Sequence, residues 1–292
     1  MEMMKKKSFN LPEDCLAMIL SLTSPGDVCR LSSVSSIFQL TSNSSALWRK
    51  FLPPDYESII ARSNNPSQLL DLPLKKVYSS LCRYPILIDN GYKSFWLNRL
   101  TGKKCYMLSA RALTIVWGST PMYWKWTSIY HPKSRFSEVA RLRDVCWLEI
   151  KGKIDVKALS PSTHYAAYFV FTLERSAYGL KNQPVKVTMG LAGSGESITR
   201  VVYLDVETPE RLGNFPEEPF LGQPFGDFMV PPILADGGGL EYRMDRSDGW
   251  WEVKIGEFKV DLEEGELEMR LTQLGGHWKR GLAVQGIEIR PR

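Results

Sequence analysis

Beyond about Cys105 the apolar residues of this chain recur at every second position, and that period restricts the fold more than any other feature. Tyr165, Ala167, Phe169, Phe171 and Leu173 share one face of an extended segment. Val185 to Met189, Trp251 to Ile255 and Leu267 to Leu271 alternate in the same way, and Val201 to Val206 and Leu282 to Ile289 add two more runs. A period of two belongs to a strand with one buried face. Gly and Pro separate the runs and no helical pattern intervenes, so the strands must pair antiparallel and stack as a β-sandwich or jelly roll. The stretch from Thr208 to Gly239 is rich in Pro and Gly and reads as a long surface loop. The fold class is therefore mainly β, with a small helical module in front.

That module occupies the first fifty residues. Leu16, Ile19, Leu20 and Leu22 lie close to helical spacing, Thr23-Ser24-Pro25 breaks the pattern, and Val28, Leu31 and Val34 follow at intervals of three. Ser24 is a good N-cap for the second helix because Pro25, at the first helical position, has no N–H to lose. Phe38 and Leu40 belong to a third piece and Ala46 to Leu52 to a fourth, closed by Pro53-Pro54. So small a module has more apolar residues than one tiny core needs. Either a partner covers the excess or the helices cap the following domain. Residues 54–91 read as a connector with its own helix, in which Leu74, Val77, Tyr78 and Leu81 form one buried face.

Composition excludes several classes. With 43% hydrophobic and 24% charged residues the chain is an ordinary globular one. No apolar run is long enough for a transmembrane helix, and the charged Met1 to Lys7 is not followed by a signal-peptide core, so an intracellular protein is expected. The net charge of +5 is spread over Lys5-Lys6-Lys7, Lys75-Lys76, Lys103-Lys104 and Lys279-Arg280, which reads as solvated surface and not as a nucleic-acid footprint. Five cysteines without Cys-x-x-Cys spacing indicate neither disulfides nor zinc, and most are expected to be small core residues. The three histidines lack ligand spacing, so neither a metal nor another cofactor is called for. No Gly-x-Ser-x-Gly elbow is present. Gly190, Gly193 and Gly195 follow a strand without the Lys-Ser/Thr ending of a phosphate loop, which leaves a hairpin turn.

The remaining signal is aromatic. Trp117, Tyr123, Trp124 and Trp126 crowd ten residues. The ordinary reading is that such rings plug one end of the sandwich. The other is that an indole face stacks on a sugar ring while neighbouring polar groups bind its hydroxyls.

Two resemblances bear on these alternatives. Residues 1–53 resemble an F-box through Leu11-Pro12-Glu13-Asp14-Cys15-Leu16, Ile19-Leu20, Ser24-Pro25-Gly26-Asp27-Val28, Val34-Ser35-Ser36-Ile37-Phe38 and Leu47-Trp48-Arg49-Lys50-Phe51-Leu52. Ser36 stands where a basic residue is common. Residues 92–292 resemble the plant phloem-lectin (Nictaba-like) family through Ser94-Phe95-Trp96-Leu97, Gly102 to Leu108, Trp117-Gly118, Tyr123 to Trp126, Leu148 to Lys153, Arg246 to Trp250 and Trp278 to Pro291. The first resemblance implies docking on a Skp-type adaptor and cullin scaffold, with Leu11, Pro12, Leu16, Ile19, Leu31, Val34, Phe38 and Trp48 as adaptor-binding residues. The second implies a jelly roll that binds N-acetylglucosamine-containing glycans, with Trp117, Trp124, Trp126 and Glu266 at the sugar site. Together they imply a non-catalytic ubiquitin-ligase receptor, cytoplasmic and nuclear, that recruits a glycoprotein. The alternatives are a receptor for an unglycosylated protein and a stand-alone intracellular lectin.

Overall fold

The computed structural model describes residues 11–128, 133–195, 197–205, 241–261 and 264–292. The chain forms two compact units, one running to Asn90 and including Ser94–Tyr106, the other made of Gly91–Lys93 and Met107–Arg292.

In the first unit, α1 (Glu13–Ser21), α2 (Pro25–Leu31), α3 (Ser36–Thr41) and α4 (Ser45–Phe51) are short helices closed by serine-rich turns. The cap expected at Ser24 is present. Its Oγ accepts from the Asp27 N–H at 3.1 Å, and the Asp27 carboxylate accepts from the Ser24 N–H at 3.3 Å, a reciprocal capping box. Then come α5 (Tyr56–Ala61), α6 (Ser67–Leu70) and α7 (Leu74–Arg83), the last burying Val77, Tyr78 and Leu81 as its spacing requires. Trp48 on α4 stacks against Tyr78 on α7 at 5.3 Å, so the segment read as a connector packs into this unit. Strands β1 (Ile86–Ile88), β2 (Lys93–Leu97) and β3 (Lys104–Ser109) follow. The turn between β2 and β3 carries Gly102 at φ +67°, where a Cβ would press on the Tyr78 hydroxyl and the Phe51 carbonyl.

The second unit is the antiparallel sandwich that the alternation demands. One sheet has β3, β15 (Arg280–Pro291), β8 (His164–Tyr178), β13 (Trp251–Lys259) and β12 (Met244–Asp245) side by side, with β6 (Val139–Leu142) on β15 and β5 (Trp124–Thr127) on β6. The other runs β11 (Glu241–Tyr242), β10 (Ser197–Tyr203), β9 (Pro184–Leu191), β14 (Glu266–Gln273), β7 (Leu148–Asp155) and β4 (Thr114–Ile115). Ile150, Val187, Met189, Met269 and Leu271 of the second sheet and Phe169, Phe171, Val253 and Ile287 of the first are buried. The glycines after β9 close a hairpin onto β10. The expected Thr208–Gly239 loop lies outside the described residues.

Three expectations need correction. Lys104 and Lys279 are not solvated. Lys104 is buried with its Nζ 2.9 Å from the Asp55 carboxylate, and Lys279 donates to the carbonyls of Cys146, His277 and Gly275 at 2.6, 2.9 and 3.0 Å. A buried ammonium is tolerated when its three hydrogens each find an acceptor. The cysteines are mostly not core residues either: Cys105 is buried, but Cys15 and Cys29 are exposed.

On the first sheet a nearly buried charge cluster joins three segments. Arg246 reaches Glu252 at 2.6 Å and Glu288 at 3.1 Å, while Arg290 holds Glu252 at 2.5 Å and Glu288 at 2.6 Å. Burial pushes the Glu252 carboxyl up, but the Arg290 and Arg246 guanidinium groups outweigh that and hold it below the ordinary 4.5. Stability from this cluster is therefore complete above pH 4.5 and is lost as pH falls through the lowered native value. Glu252→Gln should cost about 3–5 kcal/mol at neutral pH by removing one of the carboxylates that two largely buried guanidinium groups share, leaving the cluster one negative charge short. Melting curves of both proteins across pH check this: the gap should narrow below the ordinary carboxylate range, and a pH-independent gap would contradict it.

Candidate functional site

Each unit presents one surface that its own packing leaves unused. In the first, Leu16, Leu20, Val28, Leu47 and Trp48 fill the core. Leu11, Met18, Ile19, Leu22, Val34, Ile37 and Leu40 stay exposed, Leu22 at 83%, Leu40 at 68% and Val34 at 67%. The cause is local. Helix α1 carries apolar residues on both faces, and only one face can meet α3 and α4. Burying such side chains is worth about 1.5–3 kcal/mol each, so seven of them left exposed in one small helical module make it a candidate interaction surface.

Of the expected adaptor-binding residues, Leu11, Pro12, Ile19 and Val34 are exposed here, and Leu31 and Phe38 are half-buried. Leu16 and Trp48 are instead taken up by the unit's own core. The Trp48 indole N–H donates to the Ser42 carbonyl at 2.7 Å and its ring packs on Phe51 and Tyr78. Met18, Leu22, Ile37 and Leu40 were not expected in this set, although two-sided apolarity in α1 is a signal that points to the first two.

The second surface lies at one end of the sandwich. After β4, which pairs with β7, the Val116 N–H still bonds the Glu149 carbonyl at 3.1 Å. The chain then turns at Trp117, whose φ of +56° is left-handed and costly for a residue with a side chain. Gly118 follows, where a Cβ would lie 3.0 Å from both the Ile115 Cβ and its carbonyl oxygen. Two indole N–H groups from β5, in the other sheet, hold this turn. Trp124 donates to the Val116 carbonyl at 3.2 Å and Trp126 to the Gly118 carbonyl at 2.9 Å. Trp124 is only 2% exposed, and Arg111 lies 3.7 Å from the centroid of the half-buried Trp126 ring.

Trp117 itself is 41% exposed. Its ring lies 5.2 Å from Tyr123 and meets Trp147 edge-on at 6.5 Å. Trp147, just before β7, is exposed as well, as is Trp278. The segments bearing those two are joined by reciprocal backbone bonds between Val145 and Lys279 at 3.0 and 2.7 Å, with the Lys279 ammonium gathering nearby carbonyls. Asp144, three residues before Trp147, accepts from Tyr178 and Arg280. Partial burial pushes the Asp144 carboxyl up, and these two donors hold it below the ordinary range.

Of the three tryptophans expected at the sugar site, Trp117 is exposed, Trp126 is half-buried and Trp124 is buried because its ring and N–H brace the turn. Glu266 is not brought to this end. It pairs with Asp155 in register and bonds Lys153 at 2.8 Å, whereas the Trp117 end of β7 faces Thr272. Six residues of strand at about 3.3 Å each put roughly 20 Å between them. Trp147 and Trp278 were missed as site residues because neither lies in an aromatic-rich run; only the fold gathers them.

Trp124→Ala should therefore cost about 3–5 kcal/mol as a core truncation, while Trp147→Ala should stay within about 1 kcal/mol. Chemical denaturation of the two variants checks the contrast, and equal destabilisation would overturn the division between brace and platform.

Residues 103–291 match the phloem protein 2 family and residues 8–50 match the F-box domain. Among Arabidopsis thaliana proteins, F-box protein PP2-B10 is 40% identical over 97% of this chain and 93% of its own length. F-box protein PP2-B15 is 38% identical over 97% and 96%, and F-box protein VBF is 37% identical over 97% and 99%.

Proposed function

The chain belongs to the F-box proteins that carry a phloem protein 2 domain, and from that premise we propose that it is the substrate-recognition subunit of a Skp–cullin–F-box ubiquitin ligase. The observation that supports this most directly is the pairing of two unused surfaces on one chain: an apolar helical face and an aromatic end of a sandwich. The apolar face docks on the Skp-type adaptor. The aromatic end holds the target, raising its local concentration beside the ligase without itself making or breaking bonds.

For the target we propose a glycoprotein bearing N-acetylglucosamine-type sugars. Trp117 offers an exposed indole face for the apolar side of a pyranose. Trp147 forms a wall at right angles to it, and Arg143, whose guanidinium bonds the Pro121 carbonyl two residues before the Tyr123 that touches Trp117, would serve as a hydroxyl partner. A site of this kind needs one apolar platform and a few placed polar groups, and no more. A second reading has its own support. Met122, in the Trp117 turn, and Leu274, just past β14, are exposed aliphatic side chains flanking the rings, which suits an unglycosylated protein target.

Adaptor docking is tested by Val34→Asp with Leu40→Asp in the full chain. Both positions are largely exposed, so stability should change by no more than about 0.5 kcal/mol per site. Capture of the chain by immobilised Skp-type adaptor should be lost, and undiminished capture would overturn the docking surface. For the sugar, Trp117→Ala should weaken binding to N-acetylglucosamine glycans by roughly tenfold or more, the value of about 1.4 kcal/mol of stacking. A wild-type chain that ignores every sugar on a glycan array would discard the glycoprotein target in favour of the protein one.

A further inference from the structure

The first unit contains a cleft of about 840 Å³ between α2, α7 and the turn that follows β2. Arg30, Lys75, Arg83 and Arg99 line it, and no carboxylate does. The contrast with the clefts of the second unit is direct. There Lys186 and Arg270 share their cleft with Glu149 and Glu268, and Arg141 and Arg280 share theirs with Glu174 and Asp144. In the first unit Arg30 is paired with Asp27, which lies outside the lining, and Lys75 donates to the Asn43 side-chain carbonyl at 2.9 Å. Arg83 and Arg99 have no ion-pair partner among the described residues.

Lys75, Arg83 and Arg99 have no carboxylate to offset them among the described residues, and with Arg30, itself paired with Asp27, they repel one another across a shared cavity unless an anion enters it. Mobile counter-ions screen such charge poorly inside a concavity, where field lines are focused. Guanidinium groups offer paired donors that match phosphate oxygens, and a lysine adds a point charge. The cavity has room for several linked phosphates. The buried Trp48 and Tyr78 form part of its wall, so an anion there would touch the same residues that hold α4 to α7.

We propose that this cleft binds a small oligophosphate anion, which ties α2, α7 and the β2–β3 turn together. None of the cleft's lining residues belongs to the exposed apolar set of the first unit or to the aromatic end of the sandwich. Cys29 and Cys82 line the same cleft and report on its occupancy.

The test is calorimetric titration of the full chain with sodium tripolyphosphate at physiological ionic strength, with citrate as the carboxylate counterpart. One saturable site per chain is expected, accompanied by a rise in melting temperature and slower alkylation of Cys29 by iodoacetamide. Arg83→Ala with Arg99→Ala, both exposed side chains, should weaken binding by roughly tenfold or more and remove the protection of Cys29. Lys50→Ala with Lys76→Ala, which removes two exposed charges outside the cleft, should leave both readouts unchanged. Absence of saturable binding, or equal weakening in the two double variants, would overturn the site. Citrate binding as tightly as tripolyphosphate would overturn the phosphate class.

Discussion

Two indole N–H groups, from Trp124 and Trp126, hold the carbonyls on either side of Trp117, and the aromatic end of the sandwich depends on that clamp. A non-glycine residue held in the left-handed region costs on the order of 1–3 kcal/mol. Two hydrogen bonds at about 1 kcal/mol each, together with burial of the Trp124 ring, offset that cost. The donors come from β5 in one sheet and the acceptors from the chain leaving β4 in the other, so the clamp also closes the end of the sandwich. Its consequence is directional. With φ inverted, the Trp117 side chain leaves the core and stands at the surface against Trp147. One buried and one half-buried tryptophan thus keep a third one outside.

Lys279 does the same work for the neighbouring segments by a different route. Its chain enters β15 beside Trp278, and its ammonium turns inward to three carbonyls contributed by residues on both sides of the Val145–Lys279 bridge. Burial lowers the pKa of the ammonium, and all three of its hydrogens are turned to carbonyls. Replacing it by an apolar residue would leave three carbonyls to find other partners, and the segments carrying Trp147 and Trp278 are the ones those carbonyls belong to or adjoin. Surface tryptophans at this end therefore rest on buried polar bonds and not on the apolar core.

Much of this was legible in the sequence, for reasons that differ by element. Strands β8, β9, β13 and β14 were visible because their residues alternate between an apolar core and another environment. Helix α7 was visible because Leu74, Val77, Tyr78 and Leu81 fall on one helical face, and Ser24 because a cap uses a local hydrogen bond. What failed was anything decided by distant partners. Lys104 and Lys279 look like surface lysines until Asp55 is brought to the first and the Cys146 carbonyl to the second by chain many residues away. Trp124 and Trp117 are both tryptophans in one short stretch, and nothing in spacing says that one braces the other. Most of the cysteines were read as core residues because of apolar neighbours in sequence, yet Cys15 and Cys29 are exposed, and residues near them, Met18 and Leu31 among them, do not all face inward.

The same reasoning explains why the apolar excess of the first unit is not a packing defect. Helix α1 is nine residues long and α2 to α4 are shorter still, so none can bury more than one narrow face against its neighbours. Isolated helices of this length are marginal in water, and tertiary contacts must hold them. Those contacts are supplied by Leu20, Val28, Leu47 and Trp48 inside and by α7 behind Trp48. With the inner face already satisfied, Met18, Leu22, Val34 and Leu40 add nothing to the stability of the free unit and expose surface that favours association. Among the described residues nothing covers them, and burying them in a further contact would recover about 1.5–3 kcal/mol each.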